Sequence, residues 1–286
     1  MQEFRNRVAV ITGAASGMGR AIAARCAREG MRVVLAGINE ENLQKAEAEL
    51  RSNGATVLSV RVDVSVLSDV EALARKTLDA FGAVHLLVNN AGVVAGASPW
   101  ESTASDWQWV IDVNLYGAIH GVKVFAPIML GQKTEGHIVN NASAAGLINF
   151  HPSAPYQVTK AAVVALSENL YHWLSYHGSL VGASVLCTGP VASQIGDSRR
   201  NRPAALADEA VELDPAARLA LFKAQSSAQL AVLSPAAVAD VVIEGVREGR
   251  FYLITHQESG MPLIRERMED ILATRNPRKL GDIIRQ

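Results

Sequence analysis

Neither sign of charge is in excess in this chain, and this limits the partners it can bind. The sequence of 286 residues has 27 Lys and Arg against 28 Asp and Glu, a formal net charge of -1. Binding to nucleic acid draws on surplus positive charge to contact phosphates. The balance therefore argues against DNA or RNA as a main partner.

Cysteine is also scarce. Cys26 and Cys187 are the only two in the sequence, and both lie in apolar runs. Two cysteines do not build a disulfide scaffold, so we expect small core residues in a reducing, cytoplasmic compartment. The seven histidines are scattered without the spacing of metal ligands, and we expect no metal site.

The sequence shows no long apolar run and no leader pattern. No uninterrupted apolar stretch reaches the roughly 18 residues that a transmembrane helix needs. The N-terminus carries Glu3 and Arg5 and continues directly into a predicted strand, unlike a signal peptide. Because 49% of the residues are hydrophobic, the chain can still bury a sizeable core. We expect a soluble, cytoplasmic protein with no membrane partner.

Short apolar runs alternate with helical patterns along the chain. The predicted strands are residues 7–12, 31–36, 56–62, 84–89, 136–142, 181–187 and 251–255. The helical patterns include residues 40–53, 67–81, 104–131, 154–177 and 234–249. This alternation is typical of a parallel sheet with helices on both faces and right-handed crossovers. We predict an α/β fold, with one doubly wound domain over residues 1–286 and a seven-stranded, mainly parallel sheet.

Two segments depart from this alternation. Residues 194–233 follow the sixth strand, and a connection of this length is more often functional than idle, so we predict a substrate-loop region. Its Arg199, Arg200 and Arg202 either bind an anionic group of a substrate or belong to a solvated loop. Residues 256–286 form a C-terminal extension, in which 261–273 have the pattern of an amphipathic helix.

A glycine-rich turn joins the first strand to the first helix. Residues 12–19 read Thr-Gly-Ala-Ala-Ser-Gly-Met-Gly, a Gly-x3-Gly-x-Gly spacing. Glycine lets the backbone approach a ligand closely, and a helix start offers unpaired N–H groups and a partial positive charge. The turn therefore predicts a diphosphate site, with an ordinary loop as the alternative.

Three further motifs follow in order. Residues 89–92 read Asn-Asn-Ala-Gly, Asn114 lies in Val-Asn-Leu, and Ser143, Tyr156 and Lys160 form Ser-x12-Tyr-x3-Lys. With the glycine-rich turn, they resemble the short-chain dehydrogenase/reductase family, from about residue 5 to about residue 195. The resemblance implies a Rossmann fold with a C-terminal tail, a nicotinamide cofactor, and an alcohol dehydrogenase or carbonyl reductase activity on a ketone or secondary alcohol.

The spacing of Tyr156 and Lys160 suggests how a proton could move. Side chains four apart on a helix share one face. A lysine cation beside a phenol favours the phenolate and lowers the phenol pKa, so the tyrosine can exchange a proton with substrate. The resemblance implies Tyr156 as acid/base, Lys160 in pKa tuning and ribose binding, Ser143 in positioning the substrate oxygen, and Asn114 in a proton relay and a local opening of its helix.

The resemblance also implies the binding residues. Those for the cofactor are Gly13, Ser16, Gly17, Met18, Gly19, Gly37, Ile38, Asp63, Val64, Asn90, Ala91, Gly92, Tyr156, Lys160, Gly189, Pro190, Val191 and Ser193. Those for the substrate are Ser143, Ala145, Ser153, Tyr156 and Pro190, with Ala95, Ala144 and Pro155 nearby. Small and apolar groups around one polar centre favour a hydrophobic carbonyl compound.

Two positions depart from the family pattern. Gly37 stands where relatives that prefer NAD carry an acidic residue, and no basic residue replaces it in the way typical of NADP-preferring relatives. The missing repulsion favours NADP(H) slightly over NAD(H). Thr188 replaces the proline that usually precedes Gly189.

Two other functions remain open at this point. One is a non-catalytic dinucleotide sensor on the same fold, and the other is an epimerase or dehydratase that keeps its cofactor bound. We also expect a homodimer or homotetramer, because the predicted helices 104–131 and 154–177 leave apolar faces in the family's mode of assembly.

Overall fold

The computed structural model describes residues 1–148, 151–207 and 231–278. In these residues seven short strands form one sheet. The strands are β1 (Val8–Thr12), β2 (Arg32–Gly37), β3 (Val57–Arg61), β4 (Leu86–Asn89), β5 (Gly136–Asn141), β6 (Val181–Cys187) and β7 (Tyr252–Ile254). Parts of the predicted substrate-loop region and C-terminal extension, residues 208–230 and 279–286, lie outside the described residues.

The sheet confirms the predicted topology. Its order is β3-β2-β1-β4-β5-β6-β7, and every neighbouring pair is parallel. The strand order reverses direction between β1 and β4, because β1 pairs with β2 on one side and with β4 on the other. In a doubly wound sheet this switch point opens a crevice at the carboxyl ends of the strands, where ligands bind.

Helices cover both faces of the sheet. They are α1 (Gly17–Arg28), α2 (Glu40–Ser52), α3 (Leu67–Phe81), α4 (Ala104–Ile111), α5 (Gly117–Gly131), α6 (Ala154–Tyr176), α7 (Pro235–Glu248) and α8 (Gln257–Leu272). Apolar residues of α1, α2 and α7 pack on one face, and those of α3, α5 and α6 pack on the other. Both faces of the strands are buried, which explains why the strands are continuous apolar runs.

The helix predicted over residues 104–131 is present, but it is not α-helical throughout. A π-helical turn (Asp112–Tyr116) separates α4 from α5. By length and composition the run Ala104–Gly131 could cross a membrane, but here it buries Phe125 and Met129 in the core. Its apolar character therefore reflects packing against the sheet.

The C-terminal helix α8 begins at Gln257, four residues before the predicted start at 261. His256 at its start is buried, and its Nδ1 atom accepts the backbone N–H of Gly189 at 3.2 Å. Near the middle of α8, Arg267 donates to the carbonyl oxygen of Leu147 at 3.1 Å. The helix thus contacts the segments that follow β5 and β6.

Candidate active site

A cleft of about 200 Å³ opens at the carboxyl ends of the strands, over the switch point between β1 and β4. Its wall combines the glycine-rich turn, the ends of β2 to β6, and the segment after β6. The predicted residues on this wall are Gly13, Ser16, Gly17, Met18, Gly19, Gly37, Ile38, Asp63, Val64, Asn90, Ala91, Gly92, Tyr156, Lys160 and Ser193.

The glycine-rich turn lies too close to its surroundings for side chains. A Cβ atom on Gly19 would lie 2.3 Å from the carbonyl oxygen of Gly13, and Gly17 has a φ of +54°. Ser16 precedes α1, and its side chain makes no capping hydrogen bond to the first turn. The free N–H groups of that turn can therefore receive an anion.

Thr12 connects this turn to the strand beside it. Its Oγ1 atom accepts the backbone N–H groups of Asn90 at 2.9 Å and Ala91 at 3.0 Å. The side-chain amide of Asn90 donates to the carbonyl oxygen of Thr12 at 2.8 Å. These bonds fix the ends of β1 and β4 relative to each other and so set the floor of the cleft.

Gly37, at the end of β2, leaves open space in the cleft wall. A Cβ atom there would contact Leu43 at 3.7 Å and Ala15 at 3.8 Å, which are ordinary van der Waals distances. Asn39 caps the start of α2, and its side chain accepts the backbone N–H of Asn42 at 2.9 Å. Both asparagines line the cleft. The sequence indicated Asn39 as a residue that can bond to either form of the cofactor, whereas Asn42 was not identified.

Two carboxylates line the side of the cleft near β3. Asp63 accepts hydrogen bonds from the backbone N–H of Ser65 at 3.0 Å and from its hydroxyl at 2.6 Å. Asp112, in the π-helical turn, also lines the cleft, and burial raises the pKa of its carboxyl.

Tyr156 lines the inner end of the cleft, with Ser143 behind it. Tyr156 lies in the first turn of α6, and the Ser143 hydroxyl lies near its phenol. Burial raises the pKa of the Tyr156 phenol, and the nearby Ser143 hydroxyl opposes that rise. The sequence predicted that Lys160 lowers this pKa, but burial dominates and the pKa is raised.

Lys160 is buried one turn further along α6. Its Nζ atom donates to the carbonyl oxygen of Asn141 at 2.7 Å. Burial lowers the pKa of this lysine to about 8. An ammonium group that donates one hydrogen bond to the main chain keeps further donors for a ligand.

Asn114 lies in the π-helical turn, where the helix is widened. Its Oδ1 atom accepts the N–H of Val93 at 2.8 Å, and its Nδ2 atom donates to the carbonyl of Val93 at 2.9 Å. Nδ2 also lies 3.3 Å from the hydroxyl of Thr159 on α6. Asn114 therefore links the segment that follows β4 to the helix that carries Tyr156 and Lys160.

Several predicted contact residues lie elsewhere. Ser153 is the cap of α6, accepts the N–H of Tyr156 at 3.3 Å and donates to the carbonyl of Ala95, so its hydroxyl is already used. The backbone of Gly189 bonds to His256, and the carbonyl of Pro190 accepts the N–H of Leu233 at 3.1 Å. Of the remaining predicted residues, those off the cleft wall are Ala95, Asn114, Ser143, Ala144, Ala145, Pro155 and Val191.

The segment after β6 contributes Ser198, which the sequence did not single out. Ser198 is buried, and its hydroxyl accepts the N–H of Val94 at 3.0 Å. Arg202 was predicted either to bind a substrate anion or to belong to a solvated loop. Instead it forms a buried ion pair with Asp106 of α4 and lies over the ring of Trp109, 5.4 Å from its centre. Arg202 is therefore committed to the protein itself, whereas Arg200 lines the cleft.

The cleft has the features that a dinucleotide needs. Asn141 lines it with a buried Oδ1 atom that has no hydrogen-bond partner in the described part of the chain. The glycine-rich turn offers N–H groups to a diphosphate, and Lys160 keeps donors for a ribose. The residues present thus fit a nicotinamide dinucleotide.

Comparisons with known proteins agree with this geometry. Residues 7–204 match the short chain dehydrogenase family. The CLA biosynthesis dehydrogenase/reductase of Lactiplantibacillus plantarum is 32% identical over 97% of both chains. The 1-deoxy-11-beta-hydroxypentalenate dehydrogenase of Streptomyces exfoliatus is 30% identical, over 94% of this chain and 89% of its own.

A solved structure is similar over nearly the whole length. The short chain dehydrogenase/reductase from Burkholderia phymatum, in complex with NAD, has a TM-score of 0.91 and 47% identity, over 98% of this chain and 99% of its own. The fold, the cleft and the sequence matches lead to the same family. The chain belongs to the short-chain dehydrogenase/reductase family, and it is an oxidoreductase with a nicotinamide dinucleotide cofactor.

Proposed function

We propose that the protein transfers a hydride between a nicotinamide cofactor and a secondary alcohol or ketone, with Tyr156 as the acid/base. The buried Tyr156 phenol on the cleft wall, with Lys160 one turn away on α6 and the Ser143 hydroxyl near it, carries this proposal. Two neighbouring hydroxyls can bind one substrate oxygen from two sides, and the phenol can give or take its proton. When bound, the nicotinamide supplies or accepts the hydride.

The neighbouring residues prepare this exchange. Ser143 donates to the carbonyl of Thr188 at 3.4 Å and accepts the N–H of Ala145 at 3.2 Å, so its hydroxyl is fixed in place. Lys160 sits beside Tyr156 with a cation whose remaining donors face the cleft. Asn114 bonds to Val93 and to Thr159 of α6, and so helps to hold α6 in position beside the cleft.

The substrate is proposed to be largely hydrophobic. The cleft has apolar residues from α4, from the π-helical turn and from the segments after β4 and β6, namely Val93, Trp109, Val113, Ile195 and Leu206. The Streptomyces relative is named as a dehydrogenase of a hydroxylated compound, which is consistent with a secondary alcohol here.

The cofactor is proposed to be NAD(H), with weak exclusion of NADP(H). Gly37 alone favours NADP(H), because nothing repels a 2′-phosphate there. However, Glu40 and Glu41 lie in the first turn of α2, shortly after Gly37 at the end of β2. Their negative charges disfavour a 2′-phosphate. The NAD complex of the Burkholderia relative supports the same assignment.

The test is absorbance at the nicotinamide band with purified protein, aryl and aliphatic ketones, and NADH or NADPH in parallel. Oxidation of NADH on at least one hydrophobic ketone is the expected result. Binding of NADH without consumption on any ketone or alcohol would contradict the proposal and favour a dinucleotide sensor. Turnover with NADPH alone would contradict only the assignment of the cofactor.

A further inference from the structure

The segment after β6 lies directly against the glycine-rich turn. A Cβ atom built on Gly17 would be 3.4 Å from the Cβ of Ser193. The two residues therefore face each other across the place where α1 begins. A ligand bound at the first turn of α1 would have this segment on its other side.

Arg200 is oriented toward that place by its own segment. Its Nη1 atom donates to the carbonyl oxygen of Gln194 at 2.6 Å and also to that of Asp197. Gln194 is the residue next to Ser193, so the guanidinium lies close to the turn between β1 and α1. One nitrogen is used in these bonds, and the remaining donors of the guanidinium stay available.

Arg200 differs in charge or in burial from the other charged residues that line the cleft. Among the described residues, the charged groups that line the cleft are Asp63, Asp112, Lys160 and Arg200. Lys160 is buried at the inner end, and its Nζ atom bonds to Asn141. The exposed Asp197 carboxylate lies 3.8 Å from Nη1 of Arg200 and is its present counter-ion. A bound anion would compete with an ion pair that solvent already weakens.

We propose that Arg200 binds the diphosphate of the dinucleotide and holds the segment from Ser193 to Asn201 over it. The anionic group could come from two sources, the cofactor diphosphate or a carboxylate of the substrate. The position of Gln194 next to Ser193, and of Ser193 next to Gly17, favours the diphosphate. The inference rests on the dinucleotide site of the proposed function, but its test needs no turnover.

The experiment compares binding of ADP and of adenosine by calorimetry, in wild type, Arg200→Gln and Arg200→Lys. Adenosine lacks the diphosphate, so it reports the adenine and ribose contacts alone. We expect Arg200→Gln to weaken ADP about 10-fold, with adenosine unchanged and with partial recovery in Arg200→Lys. The affinity of the wild type for ADP should also depend more steeply on salt than that of Arg200→Gln.

The matched control is Arg28→Gln, which removes the same charge from an exposed position on α1. It should leave both affinities unchanged. Equal losses of ADP and adenosine in Arg200→Gln would overturn the proposal, because they would mean that Arg200 only shapes the segment. Unchanged ADP binding would also overturn it. In that case a loss of preference for a hydroxy acid over its methyl ester would assign the arginine to a substrate carboxylate.

Discussion

The Nζ atom of Lys160 lies 5.5 Å from the centre of the Tyr156 ring and donates to the carbonyl oxygen of Asn141 at 2.7 Å. The lysine is therefore anchored to the end of β5 and reaches the phenol only across its ring. Burial raises the pKa of Tyr156 and lowers that of Lys160 to about 8. Burial therefore disfavours the ionised form of both side chains.

The buried Lys160 should make stability depend on pH. Its folded-state pKa of about 8 lies below the usual 10.5, so the unfolded chain binds this proton more tightly. Burial of the Lys160 charge lowers the free energy of unfolding most below pH 8. This loss decreases as the pH rises and disappears above pH 10.5. We expect Lys160→Met to be more stable relative to wild type at pH 7 than at pH 9.5, by ~2 kcal/mol. Urea unfolding at both pH values measures this difference.

The control is Lys123→Met, at an exposed position of α5. It should follow the pH dependence of the wild type. A constant difference in unfolding free energy between Lys160→Met and wild type over this range would refute the inferred charge penalty.

Removing the phenol oxygen of Tyr156 should abolish turnover and leave cofactor binding nearly unchanged. We expect Tyr156→Phe to lower kcat by at least ~1,000-fold, because proton transfer by a positioned side chain contributes about 100- to 10,000-fold. Binding of NADH, followed by fluorescence, should change less than about 3-fold, since the ring keeps its packing. Ser143→Ala is the companion variant and should cost less, because the phenol remains. A variant Tyr156→Phe with most of its activity would exclude this residue as the proton donor.

Gly37→Asp should strengthen the preference for NAD(H). The Cβ has room, with its nearest neighbour at 3.7 Å, and a carboxylate there can accept bonds from the ribose hydroxyls and repel a 2′-phosphate. We expect the ratio of kcat/KM for NADH over NADPH to rise at least about 10-fold. Gly37→Ala fills the same space without charge and should shift the ratio far less. An unchanged ratio in Gly37→Asp would show that the ribose does not lie beside Gly37.

The sequence predicted the sheet and the inner end of the cleft better than it predicted the contacts of the segment after β6. The strands follow from continuous apolar runs, and Gly19 follows from the turn chemistry, since both are local signals. The bond from Gly189 to His256 joins residues 67 apart, and no local pattern indicates it. The same holds for Arg202, whose partner Asp106 is 96 residues away. Burial of Tyr156 also depends on the whole fold, so its raised pKa could not be predicted from the neighbouring lysine.

The ion pair between Arg202 and Asp106 should fasten the segment after β6 to α4. Both side chains are more than nine-tenths buried. Arg202→Met should destabilise the protein by ~3 kcal/mol, because removal of one partner leaves a buried charge uncompensated. Asp106→Asn in the same chain should recover part of this loss, and unfolding in urea measures both. Hydrogen exchange of residues 194–207 should be faster in Arg202→Met, and unchanged exchange there would contradict a fastening role.

The exposed aromatic residues at the end of α6 suggest association between copies. Trp173 is 57% exposed and Tyr176 is 82% exposed, and they flank the buried Leu174 in the last turns of the helix. Val158 of α6 and Leu130 of α5 are also about half exposed, so both helices present apolar area to solvent. Because a two-fold axis can pair the same apolar surface of two copies, we expect a dimer or tetramer of the 30.5 kDa chain. Light scattering over a 100-fold dilution from about 10 μM should give a mass above the monomer that falls only at the lowest concentration.

Trp173→Glu should shift that equilibrium toward the monomer, since a carboxylate would have to be buried in the contact. A monomer mass for the wild type at every concentration would mean that these side chains remain in water.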